Sequence, residues 1–232
     1  MTPHEYAPLN GRIVAVRLIC GGLILAFALC LVGWSIVNLV PDSWLAAEGD
    51  VNEWFVDTRT DLLDTLTHIG SYLSDTPTCI AVLIIAFVTF RLWLGRWRES
   101  WTVFAAIVGE LQVFLIVTAL VGRDRPDVPQ LDLAPPTSSF PSGHTAAAVA
   151  LYGCIAFIVL RELRPRWVAV AIAVVCWSIP VIVAISRVYR GMHFPSDVAF
   201  GALGGAAWLT IVLTTLLPSR QIRSANAIGA TP

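Results

Sequence analysis

The chain has 232 residues, 56% of them hydrophobic and 13% charged, with a mean hydropathy of +0.74. A soluble domain is nearer about 45–50% apolar and about 25% charged, so this composition excludes an ordinary soluble enzyme and describes an integral membrane protein. The formal charge of −1 excludes little, because the charge is segregated along the chain, and every basic side chain is arginine. The cysteines (Cys20, Cys30, Cys79, Cys154 and Cys176) all fall inside apolar runs. No disulfide framework and no zinc site is therefore expected.

Residues 1–17 form a short polar start carrying Arg12 and Arg17. The apolar run 18–40 is long enough to cross a hydrocarbon core, which takes about 20 residues. A cleaved signal has a shorter apolar stretch and a small-residue cleavage site, so this run reads as a retained first helix. Segment 41–75 is acidic, with Asp42, Glu48, Asp50, Glu53, Asp57, Asp61, Asp64 and Asp75 against the single Arg59. Trp54, Phe55, Leu62, Leu63, Leu66 and Ile69 recur there at roughly helical spacing, which predicts an amphipathic helix on the membrane surface or capping the bundle. His68 in this segment reads as a solvated or capping histidine.

The remaining apolar runs, 76–94, 101–121, 144–160, 167–185 and 198–217, bring the predicted spans to six. Pro180 predicts a kink or a wider opening in the fifth. Glu110 and Thr118 lie two turns apart on one face of the third. An acid inside a span raises a functional question, although a hydrogen-bonded structural carboxylate is the default reading. Residues 218–232 read as a polar, disordered tail.

Arginines cluster at 12 and 17, at 91, 96 and 98, at 161, 164 and 166, and at 220 and 223. These are alternate loops, so the positive-inside rule makes them and both termini cytoplasmic. The 41–75 segment and the loops 122–143 and 186–197 then face outward. Arg123, Arg125, Arg187 and Arg190 stand on the side the rule disfavours and call for a chemical explanation. Three polar clusters supply it: Gly122 to Pro126, Pro141 to His144, and Ser186 to Asp197. The topology brings the helix ends that carry them to one face of the membrane.

The residue types point to an anion. Arg125 and Arg187 can each clamp phosphate oxygens with two parallel charge-assisted bonds. Ser142 and Gly143 open a helix, where free N–H groups and the dipole favour an anion, and glycine lets the backbone approach closely. His193, with its far nitrogen bonded to Asp197, suits a neutral nucleophile that forms a phospho-histidine. His144 suits the acid that protonates the leaving group and later helps water attack. Neither a carboxylate pair nor a histidine cluster has metal-ligand spacing, so no metal and no cofactor is expected.

At these residues the sequence resembles the type 2 phosphatidic acid phosphatase superfamily, whose signature is Lys-x6-Arg-Pro, Pro-Ser-Gly-His and Ser-Arg-x5-His-x3-Asp. The second and third parts are complete here. In the first, Arg125-Pro126 matches but Thr118 stands at the lysine position, and Arg123 is a candidate replacement for the lost cation. The resemblance covers about residues 50–217. It implies a metal-independent phosphatase with His193 as nucleophile, His144 as acid, and Arg125, Ser142, Gly143 and Arg187 as phosphate ligands.

The expected fold is therefore an all-α membrane protein: six transmembrane helices in one bundle (18–217) plus a surface amphipathic helix between spans 1 and 2. The expected activity is hydrolysis of a lipid phosphate, such as a polyprenyl diphosphate, phosphatidate or phosphatidylglycerol phosphate, at an extracytoplasmic site of the cell membrane. The bilayer and the lipid are the expected partners, with no nucleic acid and the oligomeric state left open. Two rivals stand beside it. Vanadium haloperoxidases share the motifs but are soluble. The other is a non-catalytic lipid-binding or transport protein of the same fold.

Overall fold

The computed structural model describes residues 9–134 and 136–217. The first eight residues of the expected polar start, and the expected tail 218–232, lie outside the described residues. Eight helices follow in order among those described: α1 (Gly11–Leu39), α2 (Asp42–Asp57), α3 (Asp61–Tyr72), α4 (Thr76–Leu94), α5 (Arg98–Val121), α6 (Gly143–Glu162), α7 (Arg166–Tyr189) and α8 (Pro195–Leu216). Six of them, all but α2 and α3, are long and apolar enough to cross a membrane.

Local chemistry sets the helix ends. Asn10 caps α1 by accepting hydrogen bonds from the N–H groups of Arg12 and Ile13, so this helix begins seven residues before the apolar run. Pro77 in the first turn of α4 and Pro195 at the start of α8 occupy positions where a missing N–H costs nothing. Gly122 ends α5 in the left-handed conformation, φ +66°, and turns the chain into the loop that carries Arg123 and Arg125. Helix α7 runs through Pro180 and continues four residues past the expected end, so Ser186 and Arg187 lie in its last turn.

The 41–75 segment is amphipathic, but it folds as two helices where one was expected. The Thr58 hydroxyl bonds back to the Trp54 and Phe55 carbonyls, and Thr60 caps α3 by accepting from the Leu63 N–H. Its polarity is reversed relative to a soluble helix. Trp54, Leu62, Leu66 and Ile69 are exposed, whereas Asn52, Thr67, Gly70 and Ser71 are buried against the bundle. The apolar face thus suits lipid, and the polar face turns inward to Arg187, in the last turn of α7, and Arg190, just after it.

At the centre lies α6, packed by α5, α7 and α8. Its contact with α8 is made through small residues. The Cα of Gly201 lies against the Ser142 carbonyl, and that of Gly205 against the Ala146 carbonyl, so any side chain there would collide with backbone. A main-chain hydrogen bond from the Ser142 N–H to the Asp197 carbonyl, 2.9 Å, ties the two helix starts together. At the opposite end of the bundle, Arg96 pairs with Glu99 and with Glu162. The motif-bearing helix ends therefore share one face, and the arginine-rich turns 91–98 and 161–166 share the other.

Candidate active site

A cavity of about 560 Å³ opens at the motif-bearing face and continues between α4, α5 and α6. Arg125, Arg187, Gly143, His144 and His193 line its polar end. Its deeper wall is apolar, with Ile80 and Leu83 from α4 and Ile107, Leu111 and Phe114 from α5.

His193 sits on the short connection between α7 and α8. Gly191, at φ +72°, makes the turn that delivers it, a conformation glycine adopts without penalty. The main chain around it is held by Asn52 of α2, whose amide donates to the Val188 and His193 carbonyls. The His193 Nδ1–H donates to the Ser139 carbonyl at 2.7 Å, since a carbonyl can only accept. The remaining nitrogen, Nε2, therefore carries the lone pair.

Asp197 was expected to be the direct partner of His193. Its carboxylate instead stands 3.7 Å from Nδ1, beyond hydrogen-bond reach, and acts through its charge. Its oxygens accept from the Phe194 N–H and from Arg123. Burial pushes the His193 imidazole down to about 4, against the upward pull of Asp197 and aided by the charges of Arg187 and Arg125. The ring is neutral at physiological pH.

His144, in the first turn of α6, bonds through Nε2 to the Asp75 carboxylate at 2.7 Å. Asp75 precedes α4, and its side chain makes no cap hydrogen bond to that helix. The hydrogen bond from His144 outweighs burial and holds the Asp75 carboxyl below its ordinary value. Ser74, next to it, donates to the His144 carbonyl at 2.6 Å. Two consecutive residues between α3 and α4 thus hold the histidine, one by its main chain and one by its ring.

The arginines divide into two kinds. Arg125 donates to the Met192 carbonyl at 2.7 Å, and its Nε has no partner. Burial lowers its pKa from the usual guanidinium value, with the charge of Asp197 pulling the other way. Arg187 bonds Ser71 and Asp132, and its Nε is likewise buried without a partner. Both face the cavity with donors to spare. Arg190 does not, because Asp132 takes its guanidinium in a two-pronged pair. Burial opposes ionisation of Asp132, but the Arg190 hydrogen bond and the charges of Arg190 and Arg187 overcome it and hold the carboxyl below its ordinary value.

The other three expected phosphate ligands, Arg123, Ser142 and Gly143, are placed differently from one another, and only Gly143 lines the cavity. Arg123 does not line the cavity: it is buried beneath the Phe194 ring and committed to Asp197, Glu48 and Ser196. It braces the carboxylate beside His193 and leaves the lost cation unreplaced. Ser142 is fully buried, its hydroxyl against Thr145 and its N–H on the Asp197 carbonyl. Its N–H, committed to the Asp197 carbonyl, fixes α6 against α8. Gly143 does line the cavity, yet a Cβ there would meet the Phe114 ring at 2.8–3.0 Å, so packing already excludes a side chain. The Gly143 and His144 N–H groups are first-turn donors with no intrahelical acceptor. Thr118, at the lysine position, donates to the Ser138 carbonyl and is buried behind it.

Glu48, Asn52, Asp75 and Asp132 were not singled out as site residues. Each belongs to a segment 55 or more residues away from its partner in sequence. His68, expected to be solvated or capping, is exposed and stands at the cavity mouth beside Tyr72.

The family model described as PAP2 superfamily matches residues 99–221. Among curated proteins, the decaprenylphosphoryl-5-phosphoribose phosphatase of Mycobacterium tuberculosis is 34% identical over 155 residues, covering 63% of this chain and 75% of the relative. Phosphatidylglycerophosphatase B of Bacillus subtilis is 30% identical over 146 residues, covering 61% and 67%. Among solved structures, a transmembrane PAP2-type phosphatidylglycerolphosphate phosphatase from Bacillus subtilis shares the fold, with a TM-score of 0.74 over 90% of this chain and 98% of that one at 22% identity. The match to the family begins at α5, so α2, α3 and Asp75 lie outside it.

Proposed function

Since this chain belongs to the PAP2 superfamily, we propose that it is a lipid phosphate phosphatase working through a phospho-histidine, without a metal. The observation that carries this reading is the meeting of His193, His144, Arg125 and Arg187 at the polar end of a cavity whose other end is apolar. A phosphate would sit among the guanidiniums and the first-turn N–H groups of α6, and a hydrocarbon tail would follow the wall between α4 and α5.

The reaction then divides into two displacements. The Nε2 lone pair of His193 attacks phosphorus, and the bond from phosphorus to the lipid oxygen breaks. His144, as an imidazolium stabilised by Asp75, hands its proton to that departing oxygen. Arg125 and Arg187 stabilise the charge on the equatorial oxygens of the transition state. In the second half, water gives a proton to His144 and attacks phosphorus, and the bond to Nε2 breaks to release inorganic phosphate. Asp197 and the Ser139 carbonyl stabilise the imidazolium character that develops on His193.

The arginine distribution supports an extracytoplasmic site with cytoplasmic termini. The cavity, polar at one end and apolar along its wall, supports a phosphomonoester or diphosphate on a lipid as the substrate class. One relative is named for decaprenylphosphoryl-5-phosphoribose and another for phosphatidylglycerophosphate, both lipid-linked phosphates. The test is phosphate release by the detergent-solubilised protein in EDTA, from a polyprenyl diphosphate, phosphatidate and phosphatidylglycerol phosphate. Release that vanishes in His193→Ala and is blocked by vanadate is the expected result. A folded wild type that releases phosphate from none of the three overturns the assignment, and loss of release in EDTA overturns metal independence.

A further inference from the structure

Glu110 lies midway along α5, at a depth where a buried acid requires a partner or a task. It is 5% exposed and faces the apolar part of the cavity. Leu83, Ile107, Leu111 and Phe114 line the same space, with the Cys79 thiol also on its wall. Among the described residues it makes no hydrogen bond and no ion pair. This differs from Glu99 on the same helix, which is equally buried but paired with Arg96. The expected structural carboxylate, hydrogen-bonded within the bundle, is therefore not what the structure contains.

Its distance from the chemistry is set by the helix. The Phe114 ring packs against Gly143 at the polar end of the cavity. Glu110 is one turn deeper on α5, about 6 Å along the axis. A lipid whose phosphate lies at His193 would bring to this level the atoms that join headgroup to tail. A carboxyl keeps an acceptor oxygen whether or not it carries a proton, so a donor on the lipid finds a partner there in either state. A plain hydrocarbon or polyprenyl chain offers no such donor and would leave the acid unmatched, which a buried polar group resists.

We propose that Glu110 is a specificity-determining residue, whose carboxyl accepts a hydrogen bond from a hydroxyl or amide N–H in the linkage region of the lipid, between phosphate and tail. The inference rests on the lipid-phosphatase reading above. It selects hydroxylated or amide-linked lipid phosphates over polyprenyl ones. Sites built to pair a polar group discriminate strongly against analogues that lack it.

The test uses non-hydrolysable ligands, so that it reads binding and not turnover. Dodecylphosphonate is compared with hydroxydodecylphosphonates bearing the hydroxyl four, six or eight carbons from phosphorus, by calorimetry on the full chain in detergent. One hydroxylated position is expected to bind about tenfold tighter than the parent, and that gain is expected to vanish in Glu110→Leu and to survive in part in Glu110→Gln. No gain at any position in the wild type overturns the proposal, and this arm needs no variant to fold. A gain that persists in Glu110→Leu also overturns it, since another group would then be pairing with the hydroxyl. Phosphate release by the wild type is scored separately. Its failure would count against the phosphatase reading, whereas the ratio of phosphonate affinities judges Glu110.

Discussion

Replacing Asp75 by asparagine removes a charge and keeps the shape, so it isolates what the carboxylate does for His144. The pair is short, 2.7 Å between Nε2 and Oδ1, but each side chain is 31% exposed. A charge-assisted bond contributes about 1.5–3 kcal/mol when sheltered, and an exposed pair about 0–1 kcal/mol. This half-sheltered geometry falls between them, at about 1–2 kcal/mol, or roughly a five- to thirtyfold loss of rate. The loss should depend on the leaving group. An alkoxide needs the proton that His144 delivers, whereas a nitrophenolate departs without it. The assay is kcat for a lipid alkyl phosphate and for p-nitrophenyl phosphate, in wild type and Asp75→Asn. Loss on the alkyl ester with the aryl ester spared is the expected pattern. Equal loss on both, or none on either, refutes the assignment of Asp75 as the residue that positions the acid.

Other outcomes follow from the same geometry. His193 must be neutral to attack, and its value near 4 means that kcat/KM should fall as pH drops through about 4, not near the ordinary histidine value of about 6.5; an acid limb centred near 6.5 would contradict the burial argument. Arg123→Leu strands the fully buried Asp197 and its partner Glu48, and should cost about 3–5 kcal/mol of stability, read as a lowered melting temperature in detergent. If Arg123 were instead a phosphate ligand, the variant would keep its stability and show only a raised KM. Gly143→Ala drives a methyl into the Phe114 ring and should cost about 1–3 kcal/mol while displacing His144; pairing it with Phe114→Leu should recover part of the activity, and no recovery would mean the glycine matters for another reason.

The spans were legible because about 20 apolar residues in a row have few other uses, and 76–94 was placed to the residue. Ends were less legible where polar residues continue a helix beyond the hydrocarbon. Ser186 and Arg187 read as loop, yet α7 carries them inward because Ser71 and Asp132 await the guanidinium. The motif residues were readable from type and spacing. Their separate tasks were not: Arg123 and Arg125 are two apart and identical in chemistry, and only the fold shows one buried under Phe194 and the other on the cavity wall. Asp75 and Glu48 were hidden among the acids of the 41–75 segment, where one more carboxylate carries no signal until the helices pack.

The join between α6 and α8 has a bearing on how such a protein can change. It is built on a main-chain hydrogen bond and on glycines pressed against carbonyls, so backbone contacts hold the two helix starts that carry the acid and the nucleophile close together. By contrast α4, which walls the hydrocarbon end, packs chiefly on α5 and only lightly on α6. The molecule is thus divided into a fixed anvil and a replaceable jaw. Substitutions along α4 and the facing side of α5 can recut the space for a different tail while the reacting groups keep their spacing, and a single scaffold can drift from one lipid to another without passing through an inactive form.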